Sequence, residues 1–370
     1  MSGYLIVGPS WVGDMVMAQS LIISLKQRDP EAPVDVIAPA WSAPLARRMR
    51  EVREAIVLPV AHRELGLARR RALGKELRSR RYAQAIVLPR SLKSALVPWF
   101  SRVSRRTGYR GEWRYGFLND VREADPLRTV TPARRWMALG YPPGADLPES
   151  LPQPRLLPEE ENQSRLVRIL GLRADRPVVA LVPGAEHGAA KRWPIEYFGE
   201  LARELAQRDI DVWLLGSPRE TAIGERIAMQ GGAGVLNLCG RTDLPDVIDL
   251  LSLADAVACN DSGLMHVAAA VGAFVVALYG PSSPSHTPPL TDNCRVLYLN
   301  LDCSPCFSSE CPLGHHNCLR QIAPGTVLNA LLAGLPSSAG RRCPKNGLAV
   351  TGTHAMDGSG GGSGCGASSI

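Results

Sequence analysis

The sequence predicts a doubly wound α/β protein made of two successive halves. Three observations carry that prediction. Short apolar runs rich in β-branched residues alternate with helical patterns, the alternation restarts after a proline-rich stretch, and 370 residues exceed what one hydrophobic core usually holds. An apolar share of 45% is enough to fill two cores.

In the first half, Leu5 to Val7, Val34 to Ala38, Ala55 to Leu58 and Ala83 to Leu88 read as strands with helices between them. Ala61 to Arg81 reads as one such helix, because Leu65, Ala68, Ala72 and Leu77 recur near a period of 3.6 while the arginines fall mostly on the other face. Pro142, Pro143, Pro148, Pro152, Pro154 and Pro158 make Tyr141 to Pro158 an extended, partly stiff linker. Glu159-Glu160-Glu161 behind it suits the first turn of a new helix. The second half places strands at Val178 to Val182, Asp211 to Leu215, Val235 to Leu238, Ala256 to Ala258 and Phe274 to Leu278. The expected domains are therefore 1–157 and 158–335, two Rossmann-like halves whose ligand loops surround a crevice between them. Residues 336–370 are rich in Gly and Ser without an apolar period, and read as a disordered tail.

The net charge of +7 hides an asymmetry. Residues 1–150 hold 25 Lys and Arg against 14 acidic residues, whereas 151–370 hold 17 against 21. Arg69, Arg70, Arg71, Arg78, Arg80, Arg81, Lys93, Arg102, Arg105, Arg106, Arg110 and Arg114 would surround an anionic partner such as phosphorylated lipid, polyphosphate or nucleic acid. For any single arginine a solvated face is the commoner reading, but the split between halves is not explained that way. No run reaches the roughly 18 apolar residues of a membrane span, and Met1-Ser2-Gly3-Tyr4 enters a strand without the features of a signal peptide. The expectation is a cytoplasmic protein, whose nine cysteines are reduced thiols rather than a disulfide framework.

Three strand-turn-helix segments carry chemistry. Gly8-Pro9-Ser10-Trp11-Val12-Gly13-Asp14 lies between a strand and a helix spanning Met15 to Lys26. Asp14 is either a helix cap or a general base aimed into the crevice. With only Gly8 and Gly13, the turn departs from the dinucleotide pattern G-x-G-x-x-G. Pro183 to Pro194 is a Gly/Ala loop, including Gly184 and His187, that ends in Lys191 and Arg192. Two cations before a helix suit a diphosphate, on which negative charge builds as it departs; the G-K-[ST] ending of a Walker loop is missing. Asn260-Asp261-Ser262-Gly263-Leu264-Met265-His266 is the third turn, offering a carboxylate, a hydroxyl and the N–H groups of a helix start.

Two further loops, Gly216-Ser217-Pro218-Arg219-Glu220 and Cys239-Gly240-Arg241-Thr242, either hold ribose and base or cap ordinary helices. His266 is either a core histidine or a ligand contact one turn from Ser262. Asp209-Ile210-Asp211 spells the D-x-D of metal-dependent sugar transferases but starts a strand, away from the ligand loops, and reads as structural. Cys303, Cys306, Cys311 and Cys318 fall within sixteen residues, so a structural zinc or iron–sulfur site stands beside the plainer reading of reduced thiols in a loop.

Taken in order, Gly8 to Met17, Lys191-Arg192-Trp193-Pro194, Asn260 to His266, Tyr279-Gly280-Pro281-Ser282-Ser283-Pro284 and Cys303-Ser304-Pro305-Cys306 closely resemble the ADP-heptose:lipopolysaccharide heptosyltransferases, of the heptosyltransferase II type. The likeness runs from Tyr4 to about Leu335. It implies a GT-B fold, two Rossmann-like domains facing across a cleft, and an inverting transfer of L-glycero-D-manno-heptose from ADP-heptose to the first heptose of the lipopolysaccharide inner core. It implies Asp14 as the base, Lys191 as the diphosphate-binding lysine, and Asp261, Ser262, Gly263, Leu264 and His266 as the donor loop, with no metal obligatory for catalysis. Ser10, Gly184, His187, Arg192, Gly216, Ser217, Glu220, Cys239, Gly240 and Thr242 complete the expected donor site. Trp11, Arg90, Lys93 and Arg110 are the expected contacts to an anionic heptosyl-Kdo2-lipid A acceptor at the cytoplasmic face of the inner membrane. Two other classes fit less well. A nucleotide-dependent oxidoreductase needs an acidic residue where Ala38-Pro39 stands, and a nucleic-acid-binding regulator leaves the ligand turns unexplained.

Overall fold

The computed structural model describes residues 3–61, 64–125, 130–173, 175–186 and 188–335; the tail expected at 336–370 lies outside them. Twelve strands among these residues form two six-stranded sheets in which every pairing is parallel. The first contains β1 (Tyr4–Val7), β2 (Val34–Pro39), β3 (Glu54–Leu58), β4 (Gln84–Val87), β5 (Arg105–Tyr109) and β6 (Asp120–Arg122), in the order β3-β2-β1-β4-β5-β6. The second contains β7 (Val178–Val182), β8 (Asp211–Leu214), β9 (Val235–Asn237), β10 (Ala256–Asn260), β11 (Phe274–Tyr279) and β12 (Cys294–Tyr298), in the order β12-β11-β10-β7-β8-β9. Both follow one rule: two strands are laid outward from the first, then the chain crosses back and lays three on its other side. The winding reverses between β1 and β4 in one sheet and between β7 and β10 in the other, and ligands of such sheets bind at those reversals. The turns after β1, β7 and β10 are the three singled out by sequence.

Parallel strands flanked by helices are buried on both faces and need unbroken apolar runs. β7 and β10 have them and are buried throughout. β5, β6 and β12 escape sequence reading because they lie toward sheet edges, where Arg105, Arg106 and Arg295 are tolerated. One charge enters the first core: Asp35 on β2 is fully buried and accepts from Arg53 Nε (2.9 Å), Arg80 Nη1 (2.9 Å) and Tyr82 Oη (2.5 Å). Burial alone would raise its pKa, but these three donors together hold it below the usual carboxylate value.

The helices of the first half are α1 (Val12–Arg28), α2 (Ala43–Arg47), α3 (Leu67–Glu76), α4 (Leu96–Phe100) and α5 (Pro132–Leu139). Those of the second are α6 (Glu160–Leu170), α7 (Ile195–Ala206), α8 (Thr221–Gly231), α9 (Leu244–Leu253), α10 (Gly263–Ala270), α11 (Asn317–Arg320) and α12 (Pro324–Gly334). The helix expected at Ala61 to Arg81 is shorter and turned: Gly66 at φ +53° precedes α3, and a 3₁₀ turn follows it at Leu77–Arg80. Its buried face is Arg70, Leu73, Gly74 and Leu77, while Leu65, Ala68 and Ala72 are exposed. Gly74 sets this rotation, since a Cβ there would stand 2.4 Å from Phe100 Cβ.

The proline-rich segment runs between the halves and ties them together. Gln19 Nε2 donates to Arg155 O (2.8 Å), Ser20 Oγ to Pro152 O (2.7 Å) and Leu156 N to Ala270 O (3.0 Å). Behind it, Arg48 at the end of α2 grips Asp249 of α9 with both terminal nitrogens (3.1 and 2.8 Å); Asp249 is fully buried and also accepts from Glu159 N and Asn162 Nδ2. Described residues up to Leu335 form one unit.

Candidate active site

The β1 turn delivers Asp14 to the first turn of α1. The helix starts at Val12, earlier than sequence suggests, and Trp11 occupies its N-cap position, so Asp14 is third in the helix rather than its cap. Its carboxylate therefore sits at the positive end of α1.

Glycines bring this turn against the other half. A Cβ on Gly13 would stand 2.7 Å from His266 Cδ2 and 3.3 Å from Gly263 Cα; one on Gly263 would stand 3.0 Å from Val12 Cβ. The first turns of α1 and α10, from opposite halves, thus touch glycine to glycine, and Asp14 is one residue from that contact.

Buried Asn260 closes β10 and fixes the diphosphate-type loop. Its Nδ2 donates to Pro183 O (2.9 Å) and its Oδ1 accepts from Trp193 N (3.0 Å), while Trp193 Nε1 donates to Ile322 O (2.9 Å). Sequence reading missed this role, although the Asn stands at the head of the motif. With the loop so held, Lys191 Nζ reaches Asp261 Oδ2 at 2.6 Å, the side chains 23% and 8% exposed. Arg192 is exposed, with Nη2 3.3 Å from Ala185 O. His187 lies outside the described residues.

The ends of β7, β8 and β9 converge beside this pair. A Cβ on Gly184 would meet Glu220 Cδ at 3.0 Å, and one on Gly216 would meet Glu220 Cβ at 3.0 Å and Cys239 Sγ at 3.1 Å. Ser217 and Glu220 form a capping box, so the plain helix-cap reading holds for both even though they line the convergence. Gly240, at φ +75°, follows Cys239, whose thiol burial pushes up to about 12. That thiol is a packing group.

Buried polar atoms without a hydrogen-bond partner among the described residues gather on this side: Thr242 Oγ1, Ser262 Oγ, His266 Nδ1 and Ser282 Oγ. Each such atom costs about 1–3 kcal/mol unless a ligand or solvent satisfies it. Ser282 was not expected. It follows β11, neighbour of β10, so its hydroxyl belongs to the same sheet edge as Ser262. Burial pulls the His266 pKa down to about 4, with Asp261 opposing and Lys191 adding to the shift, so its imidazole is neutral near pH 7.

The expected acceptor residues follow β1, β4 and β5, on the edge that carries Asp14. Trp11 is 45% exposed, Arg90 donates to Arg110 O (3.1 Å), Arg110 pairs with Glu123 (2.9 Å), and Lys93 is half-buried; Ser10, expected at the donor, lies on the same turn as Trp11 and accepts from Trp41 Nε1 through its carbonyl. The wider arginine cluster needs correction, because much of it builds the half that carries it. Arg70 and Arg114 are buried and donate to Leu65 O and Pro89 O. Arg78 donates to Phe100 O at the end of α4 and Arg106 to Phe117 O, and Arg69, Arg80 and Arg105 pair with carboxylates.

The cysteine loop is tied to the site through its backbone. Ala190 N donates to Ser309 O (3.1 Å), and Phe307 N to Pro281 O (2.7 Å). Cys303, Cys306, Cys311 and Cys318 are free thiols, and among the described residues no group of three or more His, Cys, Asp or Glu side chains stands together as a metal requires. Cys306 faces solvent, Cys311 is held by backbone N–H groups of residues 313–316, and Cys318 sits against Gly280. Burial, and then the neighbouring thiols of Cys303, Cys306 and Cys311, push the Cys318 thiol up.

Residues 70–317 match the family model of glycosyltransferase family 9 (heptosyltransferase). The chain is 44% identical over 338 residues to lipopolysaccharide heptosyltransferase 2 of Escherichia coli K12, covering 89% of this chain and 97% of that protein. It is 40% identical over 346 residues to lipooligosaccharide heptosyltransferase 2 of Haemophilus ducreyi, covering 89% and 99%. Among solved structures, the E. coli ADP-heptose LPS heptosyltransferase II superposes with a TM-score of 0.79 at 43% identity, over 90% of this chain and 98% of that one. The expected GT-B architecture is therefore the one found, and the chain belongs to glycosyltransferase family 9, the heptosyltransferases.

Proposed function

We propose that the protein transfers L-glycero-D-manno-heptose from ADP-heptose to the first heptose of the lipopolysaccharide inner core, with inversion. One observation carries the reading: the turn bearing Asp14 touches the donor-type turn of the other half through Gly13, Gly263 and His266, beside the Lys191–Asp261 pair. The names of its relatives, heptosyltransferase 2 and ADP-heptose LPS heptosyltransferase II, support donor and acceptor alike.

In this reading the acceptor hydroxyl oxygen bonds to the anomeric carbon as the bond from that carbon to the β-phosphate oxygen breaks. The hydroxyl proton passes to the Asp14 carboxylate, and ADP departs with the electron pair. Lys191, released from Asp261 by the incoming diphosphate, and the N–H groups at the start of α10 stabilise the charge gathering on the leaving group. The hydroxyls of Ser262, Thr242 and Ser282 have hydrogen bonds to give to a sugar or ribose. A neutral His266 holds the junction without adding a second cation. The acceptor is lipid-anchored and anionic, so the enzyme works peripherally at the cytoplasmic face of the inner membrane.

Asp14→Asn tests the assignment. Turnover should fall by about 10²–10⁴ while ADP affinity stays within about twofold. Weakened ADP binding at near-normal turnover would move Asp14 to the donor side.

A further inference from the structure

All six strands of the first sheet are parallel, so the connection that leaves each strand starts from one edge, the edge that carries Asp14. The aromatic side chains on that edge are unusually exposed: Trp11 45%, Trp41 44%, Trp113 86% and Tyr115 61%. Connections entering the strands at the opposite edge, residues 29–33, 48–53, 81–83 and 101–104, carry no exposed large apolar side chain; Trp99, 42% exposed on the preceding α4, packs edge-on to Phe100 and Phe117.

Trp113 and Tyr115 flank Arg114, which is buried and pinned by donation to Pro89 O (2.6 Å) and to Tyr109 O. Glu112 N donates to Arg90 O, fixing the same loop to the β4 connection. A buried, anchored residue between them drives both aromatic rings outward on a firm support. Beside them stand the cations Arg90, exposed, and Lys93, half-buried. Tyr and Trp rings are amphipathic and favour the headgroup zone of a bilayer, and nearby cations favour anionic lipid.

We propose that this edge is a docking surface for an anionic phospholipid bilayer, with Trp113 and Tyr115 seated among the headgroups. The occupant follows from charge complementarity, from the gathering of the most exposed aromatics on one edge, and from the reading above that the acceptor met by Asp14 is anchored in lipid.

Flotation of the full chain with vesicles tests it. Vesicles of phosphatidylethanolamine with phosphatidylglycerol should bind the parent protein, vesicles of phosphatidylcholine alone should bind it weakly, and added salt should reduce binding, each cation near an anionic surface being worth about fivefold. The double variant Trp113→Ala/Tyr115→Ala should bind about tenfold or more weakly yet turn over a soluble, deacylated acceptor at the parent rate, which separates this proposal from the transferase reading. Arg81→Asn/Arg102→Asn, on the opposite edge, should bind as the parent does. Should the double variant fold poorly, quenching by brominated phosphatidylglycerol replaces it: the parent should lose tryptophan emission and Trp113→Phe distinctly less. Binding by the double variant equal to the parent, equal loss in the opposite-edge variant, equal quenching with and without Trp113, or parent binding only when acceptor glycolipid is present would each overturn the proposal.

Discussion

The contact between Gly13 and His266 makes Gly13→Ala a sharp test of how Asp14 is held. The added methyl would stand 2.7 Å from His266 Cδ2 and 3.3 Å from Gly263 Cα, where ordinary contact is 3.4–4 Å. The imidazole is 5% exposed and cannot swing aside, so the two first turns must separate by roughly 0.7–1 Å. A misplacement of about 1 Å costs on the order of 10²-fold in rate, equivalent to about 2.7 kcal/mol of barrier. Stability should change little, because Ala is about 1 kcal/mol better than Gly within a helix and offsets part of the strain. Initial rates of ADP release at saturating donor and acceptor, alongside the melting temperature, give both quantities. A variant within threefold of the parent rate would refute the argument that this contact sets the position of Asp14. A collapsed melting temperature would show instead that the contact is needed for the fold.

Lys191→Ala removes the cation proposed to meet the departing diphosphate, so kcat should fall by about 10²–10³ and calorimetry should show weaker ADP binding. Arg48→Met leaves fully buried Asp249 without two of its donors; breaking a buried pair costs about 3–5 kcal/mol, and the melting temperature should fall by several degrees. His266, with its folded pKa lowered to about 4 against 6.5 unfolded, binds its proton more readily in the unfolded chain. Stability should therefore decline as pH falls from 6.5 towards 4, and His266→Gln should flatten the dependence of melting temperature on pH in that window.

Strands whose apolar runs are unbroken were legible in the sequence, and so were the turns that follow β1, β7 and β10, because glycine, charge and strand punctuation coincide there. β5 was not legible: Arg105-Arg106-Thr107-Gly108-Tyr109 has no apolar run, and its arginines find Asp120 and loop carbonyls only after folding. The buried face of α3 was misphased for a related reason, since Arg70 buries itself against Leu65 O and Gly74 against Phe100, neither visible as hydrophobic period. At the site, residue types announced Asp14, Lys191 and Asp261, but Asn260 as the brace and Ser282 as a buried hydroxyl required the sheet order. The meeting of Gly13 with His266 joins residues some 250 positions apart, and no local pattern encodes it.

The most direct measurement offers the purified chain ADP-heptose together with lipopolysaccharide cores bearing either no heptose or one, and weighs the products by mass spectrometry. One added heptose on the one-heptose core alone is the predicted result. Addition to the heptose-free core, or no addition to either, would contradict it.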